Sequence, residues 1–241
     1  MVKYVKNGFV VALAVSAIFL ITGCASKPSV AKESSATVSN VPTINFDSYT
    51  AGTQIDAAAS NWSVEKVDGS TMIAEVSSTM AKSAPNSLYI FDNSTADKPY
   101  ALLNFKDGAM ASGSVSFAVY IPSTNPKTVY VNFGVGKNNS DRYFELRLNG
   151  SAGVLEYENG DDDPDVATFA ADKWHTINAT WADGAFTLSF DGVACPDATN
   201  VTVASTGLSV DNIPTTVTFY AGDKSSAGTY AYIDDIQSDL F

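Results

Sequence analysis

Both arginines of the chain lie in one short segment, DRYFELRL (141–148), in which residue types alternate. Successive side chains of a β-strand point to opposite faces, so Phe144, Leu146 and Leu148 would face a core. Three polar or aromatic side chains then share the other face: Tyr143, Glu145 and Arg147. Aromatic rings pack on the apolar C–H faces of sugar rings, and polar groups bind the sugar hydroxyls. A guanidinium also binds a uronate carboxylate through two hydrogen bonds, so the strand predicts a sugar-binding face.

Neighbouring segments add further residues to this predicted face. The same alternation points four more polar or aromatic side chains outward, namely Tyr120, Tyr130, Asn132 and Tyr220. Arg142 has the opposite parity and is expected at the strand entry, paired with an acid such as Asp141. A plainer alternative stays open, in which Glu145 and Arg147 form a surface ion pair beside tyrosines of the kind common in strands.

Period-two alternation recurs after residue 42 and predicts the framework that holds this face. Apolar residues alternate with polar or aromatic ones in 115–121, 129–133, 186–190 and 216–220. Turns containing Gly, Asn or Asp separate these segments, and no segment there shows a sustained apolar period of 3.6 residues. We therefore predict one all-β domain over residues 43–241, an antiparallel β-sandwich or jelly roll.

Four motifs occur in an order that resembles a known superfamily: GSVSFAVY (113–120), KWHTINATW (173–181), FTLSFDG (186–192) and AYIDDI (231–236). The chain resembles the laminin-G/concanavalin-A-like jelly rolls, which include carbohydrate-binding modules of bacterial polysaccharide-degrading systems. This resemblance implies two antiparallel sheets, with a glycan bound on the concave one. It also implies a structural calcium ion between an acid after an early Phe and acids of the last strand. The residues at those places are Asp47, Asp234 and Asp235.

The first 24 residues have the order of an export signal. A basic start precedes an apolar run over residues 8–21, which ends in Ile-Thr-Gly-Cys at Cys24. This resembles the lipobox of bacterial lipoproteins, which implies removal of residues 1–23 and attachment of lipid to Cys24. We therefore expect an exported protein of the bacterial cell envelope, held to a membrane by its lipid anchor alone. Residues 24–42 are rich in Ser and Ala, lack aromatic residues, and predict a flexible linker.

Charge and residue types argue against several classes of function. The net charge is −12, and loss of Lys3 and Lys6 with the signal would leave −14 from 12 basic and 26 acidic residues. Nucleic acid is not an expected partner, because phosphate binding needs clustered cations. One histidine and two cysteines do not form a spaced zinc-ligand cluster. The sequence also lacks G-x-S-x-G, phosphate-loop and dinucleotide motifs. We expect a monomer.

Three functions remain open on the sequence. The first is a lipid-anchored protein that binds a polysaccharide on the predicted face without catalysing a reaction. The alternative is a polysaccharide lyase of the alginate-lyase type, in which Tyr143, Arg147 and His175 would carry out β-elimination. Glu-Leu-Arg at 145–147 echoes part of one lyase strand, whereas the Gln-x-His and Tyr-Phe-Lys-Ala-Gly strands of that family are absent. The third is an adhesion lipoprotein that binds protein.

Overall fold

The computed structural model describes residues 41–65, 73–160 and 162–241. The predicted signal peptide, Cys24 and the linker as far as residue 40 lie outside these ranges. In the described part of the chain, no helix is long and apolar enough to cross a membrane. The helical elements there are α1 (Ile55–Ala58) and three 3₁₀ turns, Asn139–Asp141, Pro196–Ala198 and Val203–Thr206. The strands are β1 (Thr43–Ile44), β2 (Trp62–Glu65), β3 (Ile73–Ser77), β4 (Ser87–Asp92), β5 (Tyr100–Asn104), β6 (Gly113–Tyr120), β7 (Val129–Gly134), β8 (Arg142–Asn149), β9 (Val154–Tyr157), β10 (Asp165–Thr168), β11 (Trp174–Ala182), β12 (Ala185–Phe190), β13 (Val193–Ala194), β14 (Val201–Thr202), β15 (Thr216–Ala221) and β16 (Thr229–Gln237).

These strands form two antiparallel sheets that pack face to face. The first sheet has the order β13-β12-β11-β6-β16-β4-β3, with β1 paired to β16 and β14 paired to β12. The second sheet has the order β10-β9-β8-β7-β15-β5-β2. The predicted all-β class and jelly-roll sandwich are therefore confirmed.

The core lies between the sheets and takes every second residue of their central strands. Phe117 of the first sheet meets Phe219 of the second, with ring centroids 5.4 Å apart. Phe144 stacks on Phe133 and Phe186 at 4.3 and 4.7 Å. All five side chains are 0–1% exposed, and burying each one contributes about 1.5–3 kcal/mol to folding. The alternation read from the sequence thus identified the inward residues of these strands.

A β-bulge interrupts the pairing of β7 with β8. Phe133 pairs with Phe144, but the next pair is Gly134 with Arg142, so Tyr143 has no partner on β7. A side chain on Gly134 would collide with the carbonyl oxygen of Asp141, which explains the glycine there. The extra residue reverses the parity of the strand start. As a result Arg142 joins the outward face and Tyr143 turns into the core.

Candidate functional site

One row of side chains crosses the described strands of the second sheet on the face turned away from the core. In strand order from β2 to β10, the register aligns Glu65, Tyr100, Tyr220, Tyr130, Arg147, Glu156 and Asp165. The next row places Asn132 beside Glu145. We call the central part of this surface the tyrosine–arginine face: Lys98, Tyr100, Tyr130, Asn132, Arg142, Glu145, Arg147 and Tyr220.

Three tyrosine rings form the apolar part of this face. Tyr220 stacks on Tyr130 with centroids 4.7 Å apart and planes 9° apart, and it contacts Tyr100 at 5.1 Å. The ammonium of Lys98 lies 4.5 Å from the centroid of Tyr220, 5.2 Å from Tyr130 and 5.9 Å from Tyr100. These are cation–π distances, which hold the ammonium over the rings. Burial lowers the pKa of Lys98, and the nearby carboxylate of Glu145 opposes that change.

A buried charge network continues the face from the tyrosines toward β9. Glu145 is 0% exposed, lies 2.8 Å from Arg142 Nε, and accepts a hydrogen bond from the Tyr220 hydroxyl. Glu158 binds both guanidinium groups, that of Arg142 at 3.1 Å and that of Arg147. Burial raises the pKa of Glu145, while the Arg142 guanidinium opposes that rise. Burial also raises the pKa of Tyr220 well above its usual value, so its phenol remains a donor.

The cations of this face differ in how far they are neutralised. Arg142 and Arg147 have carboxylate partners, and Arg147 additionally pairs with Asp163. Lys137 pairs with Glu65 at 2.5 Å. Among the described residues, no carboxylate lies within ion-pair distance of the Lys98 ammonium. Lys98 is therefore the cation of the face that is left to meet an external anion.

The structure brings together five of the seven side chains predicted for the sugar-binding face. They are Tyr130, Asn132, Glu145, Arg147 and Tyr220. Glu145 and Tyr220 are nearly inaccessible and serve to hold the arginines, whereas Tyr130 and Arg147 keep partial exposure. The predicted face thus exists as a surface, but its central charges are already paired.

Two predictions for individual residues are wrong, those for Tyr143 and Tyr120. Tyr143 is 3% exposed and packs in the core against Phe144, because the bulge reverses its parity. Arg142 lies at the strand entry and pairs with acids as predicted, but its partners are Glu145 and Glu158 and its side chain is 8% exposed. Tyr120 does point outward, but from β6 of the first sheet, where it contacts Trp174.

Sequence reasoning missed Lys98 and Tyr100. Tyr100 belongs to β5, whose residues YALLN do not alternate between apolar and polar types. Four of its five side chains are buried, so neither face of this strand is polar. Lys98 precedes Pro99 in the connection from β4, outside any periodic pattern. The available signal would have been the spacing of Lys98 and Tyr100, which lie two positions apart where β5 begins.

The residues proposed for a lyase do not meet. Tyr143 lies in the core, Arg147 lies on the tyrosine–arginine face, and His175 lies on β11 of the first sheet. His175 Nδ1 is 2.7 Å from Asp191 Oδ2, and its Nε2 is 2.9 Å from the carbonyl oxygen of Ala170. It lines a cavity of about 430 Å³ with Phe190. The imidazole is thus engaged in local structure, and no described contact links it to Arg147.

The acids predicted to bind calcium converge on one short segment, residues 82–86. The backbone N–H groups of Lys82 and Ser83 donate to Asp234 at 2.8 and 3.0 Å. The Ser83 hydroxyl donates to Asp235 at 2.7 Å, and the Asn86 N–H donates to Asp47 at 3.1 Å.

These contacts bring the acids to one corner of the fold but already use several of their oxygens. Within the described ranges, no group of three or more His, Cys, Asp or Glu side chains is placed to hold a metal ion. A calcium ion there would need backbone carbonyl oxygens as further ligands.

Comparison with known proteins gives the fold. The chain matches no protein-family model and no curated protein. Among solved structures, a sialidase superposes with a TM-score of 0.58 and 15% identity over 82% of this chain. The match covers 18% of the sialidase, so the chain spans less than a fifth of that protein's length.

Two further solved structures match over nearly their whole length. A carbohydrate esterase from Shiga toxin-encoding bacteriophage phi24B has a TM-score of 0.52 and 14% identity, over 82% of this chain and 98% of that one. The cellulose induced protein Cip1 has a TM-score of 0.54 and 15% identity, over 76% of this chain and 92% of that one. At these identities the likeness is one of β-sandwich fold.

Proposed function

We propose that this chain is a carbohydrate-binding protein that holds an acidic polysaccharide, one rich in uronate, on the tyrosine–arginine face. The observation that carries the proposal is the Lys98 ammonium, held over three tyrosine rings with no described carboxylate in ion-pair distance. The names of the solved structures that share the fold, a sialidase and a carbohydrate esterase among them, are consistent with it.

The chemistry of the face matches both parts of a uronate residue. The partly exposed ring of Tyr130 offers an apolar surface to the C–H face of a pyranose. Lys98, at 5.2 Å from that ring, is placed to bind a carboxylate carried by the same sugar. Because Arg142 and Arg147 are already paired, the anion preference of the face depends on Lys98.

The overall negative charge does not prevent a local contact of this kind at physiological salt. A net charge of −12 gives no long-range attraction to a polyanion, but exposed charges are screened beyond about 8 Å at physiological salt. Binding would therefore be governed by the local pairing with Lys98, and it would strengthen with added salt at low ionic strength as general repulsion is screened.

Binding without catalysis is the better-supported form of this function. The residues that the lyase alternative requires do not form one site, because Tyr143 and His175 lie away from Arg147. An assay for unsaturated sugar products tests that alternative directly, since β-elimination creates a carbon–carbon double bond.

We further propose that the protein acts at the bacterial cell envelope as a lipid-anchored protein. This rests on the order of the first 24 residues, which ends at Cys24. Incorporation of labelled fatty acid into the protein, and its loss in Cys24→Ala, would support the anchor; no incorporation would contradict it.

Calorimetric titration with a uronate oligosaccharide and with its carboxyl-reduced neutral counterpart tests the proposed function. We expect Lys98→Met to weaken uronate binding by about tenfold or more, because a hydrogen bond to a charged group contributes about 1.5–3 kcal/mol. Lys173→Met is the matched control, because Lys173 is an exposed lysine that directly precedes β11 of the first sheet. This variant should bind as the unmodified protein does. Equal affinity of Lys98→Met and the control would contradict the proposal, as would equal affinity for the two oligosaccharides.

A further inference from the structure

A second aromatic surface lies on the first sheet, on its face turned away from the core. Six rings from four adjacent strands form it, and we call it the aromatic strip: Trp174 of β11, Tyr120 of β6, Tyr230 and Tyr232 of β16, and Tyr89 and Phe91 of β4. Leu88, Ile90 and Ile233, which alternate with these rings, are 0% exposed in the core. The strip is therefore the outward half of strands whose inward half builds the sandwich.

The register aligns four of these rings in a straight row across the sheet. Trp174 pairs with Tyr120, Tyr120 with Tyr232, and Tyr232 with Tyr89. Neighbouring centroids in the row are 5.8, 6.1 and 4.9 Å apart. Three strand spacings give the row a length of about 14 Å, which accommodates several sugar rings in sequence.

The polar ends of four of these rings have no hydrogen-bond partner in the described chain, and all six side chains are partly exposed except Tyr232, which is 8% exposed. In the described chain, no hydrogen bond engages the phenol hydroxyls of Tyr89, Tyr120 or Tyr232, or the indole N–H of Trp174. Burial raises the pKa of Tyr89 to about 12, so its hydroxyl stays neutral and able to donate. Tyrosine and tryptophan side chains of this kind, apolar on one side and polar at the tip, are typical of binding surfaces.

The surroundings of the strip carry hydroxyl and amide groups and little charge. The same face continues across β6, β11 and β12 with seven neutral polar side chains: Ser114, Ser116, Thr176, Asn178, Thr180, Thr187 and Ser189. Glu75 lies at one end of the row, opposite Tyr89, and Asp172 acts on Tyr120 at the other side. Within the described residues, no lysine or arginine lies over a ring of the strip.

This charge pattern selects the class of ligand. A polyanion or an anionic lipid surface would meet carboxylates beside this row and, in the described chain, no lysine or arginine over its rings. A neutral polysaccharide offers flat apolar ring faces for the aromatic row and hydroxyls for the neighbouring serine, threonine and asparagine side chains.

We propose that the aromatic strip is a second binding surface, which takes an extended neutral polysaccharide of β-linked pyranose units. It is separate from the acidic-glycan face, since the two surfaces lie on opposite sheets and share no residue. The protein would then hold two polymers of different charge at once, so that one chain links them.

Trp174 supplies a direct readout for this surface. The other two tryptophans, Trp62 and Trp181, are 3–4% exposed in the core, whereas Trp174 is partly exposed. Cellohexaose and mannohexaose are suitable neutral probes. We expect at least one of them to shift the tryptophan emission, and the uronate oligosaccharide to leave it unchanged.

Variants of the strip complete the test. We expect Trp174→Ala and Tyr89→Ala each to weaken binding of the neutral oligosaccharide by about tenfold, whereas Tyr89→Phe, which keeps the ring, changes it by less than about threefold. An unchanged melting temperature and unchanged uronate binding would show that each variant is folded. Should a variant not fold, the emission shift of the unmodified protein still decides the question.

Three outcomes would overturn the proposal: no binding of either neutral probe, equal binding by Trp174→Ala, or a change from dimer to monomer in sedimentation of the strip variants. The last would identify the strip as a contact between two copies of the chain. Failure of the function proposed for the second sheet would give a different result. Uronate binding would be absent or independent of Lys98, while binding of the neutral oligosaccharide would persist.

Discussion

Glu145→Gln replaces a buried carboxylate with a neutral amide of nearly the same shape. In the folded protein the Glu145 side chain is 0% exposed, 2.8 Å from Arg142 Nε and 3.6 Å from Arg147 Nε. The Tyr220 hydroxyl also donates to it. The substitution leaves two guanidinium groups in poorly hydrated surroundings with one negative charge fewer.

The expected cost follows from what remains around the arginines. Removing one partner of a buried ion pair costs about 3–5 kcal/mol. Glu158 still contacts both guanidinium groups, and glutamine can still accept the hydrogen bond from Tyr220. We therefore expect the lower end, a loss of about 3 kcal/mol in the free energy of unfolding. At a urea slope of about 3 kcal/mol per molar, the unfolding midpoint falls by about 1 M.

Urea unfolding followed by tryptophan fluorescence measures this change, with Glu65→Gln as the matched control. Glu65 belongs to the same face and pairs with Lys137 at 2.5 Å, but its side chain is 46% exposed. An exposed ion pair contributes about 0–1 kcal/mol, so the control should barely move the midpoint. If Glu145→Gln were no more destabilising than Glu65→Gln, the buried network would not contribute to stability as argued.

Two further predictions concern acids elsewhere in the fold. Burial raises the pKa of Asp92 to about 6, so the folded state binds its proton more tightly than the unfolded chain does, and stability contributed by this group is lost as pH rises from about 4 to 6. Burial raises the pKa of Asp234 to about 6 as well, so this second acid contributes in the same pH range. The loss of stability across that range should therefore be smaller in Asp92→Asn than in the unmodified protein, and an identical pH profile would contradict the assignment. We also propose the calcium site at Asp47 and Asp234, so calcium should raise the melting temperature of the protein. Asp47→Ala should abolish that rise, whereas the control Asp107→Ala, at an exposed aspartate, should keep it. A melting temperature insensitive to calcium in all three proteins would exclude the site.

Alternation predicted the sandwich well because each inward residue is decided by burial, a local property of the strand. Phe117, Val131 and Phe219 are fully buried as their parity requires. Parity assigns a face but not a sheet, however, and the pairing of β6 with β11 and β16 depends on contacts between distant segments. Tyr120 was therefore placed on the wrong sheet with its direction correct.

The start of β8 shows a second limit of the sequence pattern. The bulge depends on the close approach of Gly134 to the backbone of residues 141–142. No feature of the segment DRYFELRL predicts this approach. One inserted residue exchanged the positions of Arg142 and Tyr143. Lys98 was missed for another reason, since its importance arises from three rings on three different strands.

The strand order also determines when the protein can fold. β15 lies between β7 and β5, and β16 lies between β6 and β4, so each sheet is joined by one of the last two described strands in chain order. Until both strands are available for pairing, each sheet consists of two separate pieces with unpaired edges. The nascent chain therefore cannot assemble the sandwich progressively, and it depends on slow pairing between distant segments once β16 is available. We expect the chain to remain incompletely folded until β16 is available, and chaperones that bind extended segments to have their largest effect in that interval.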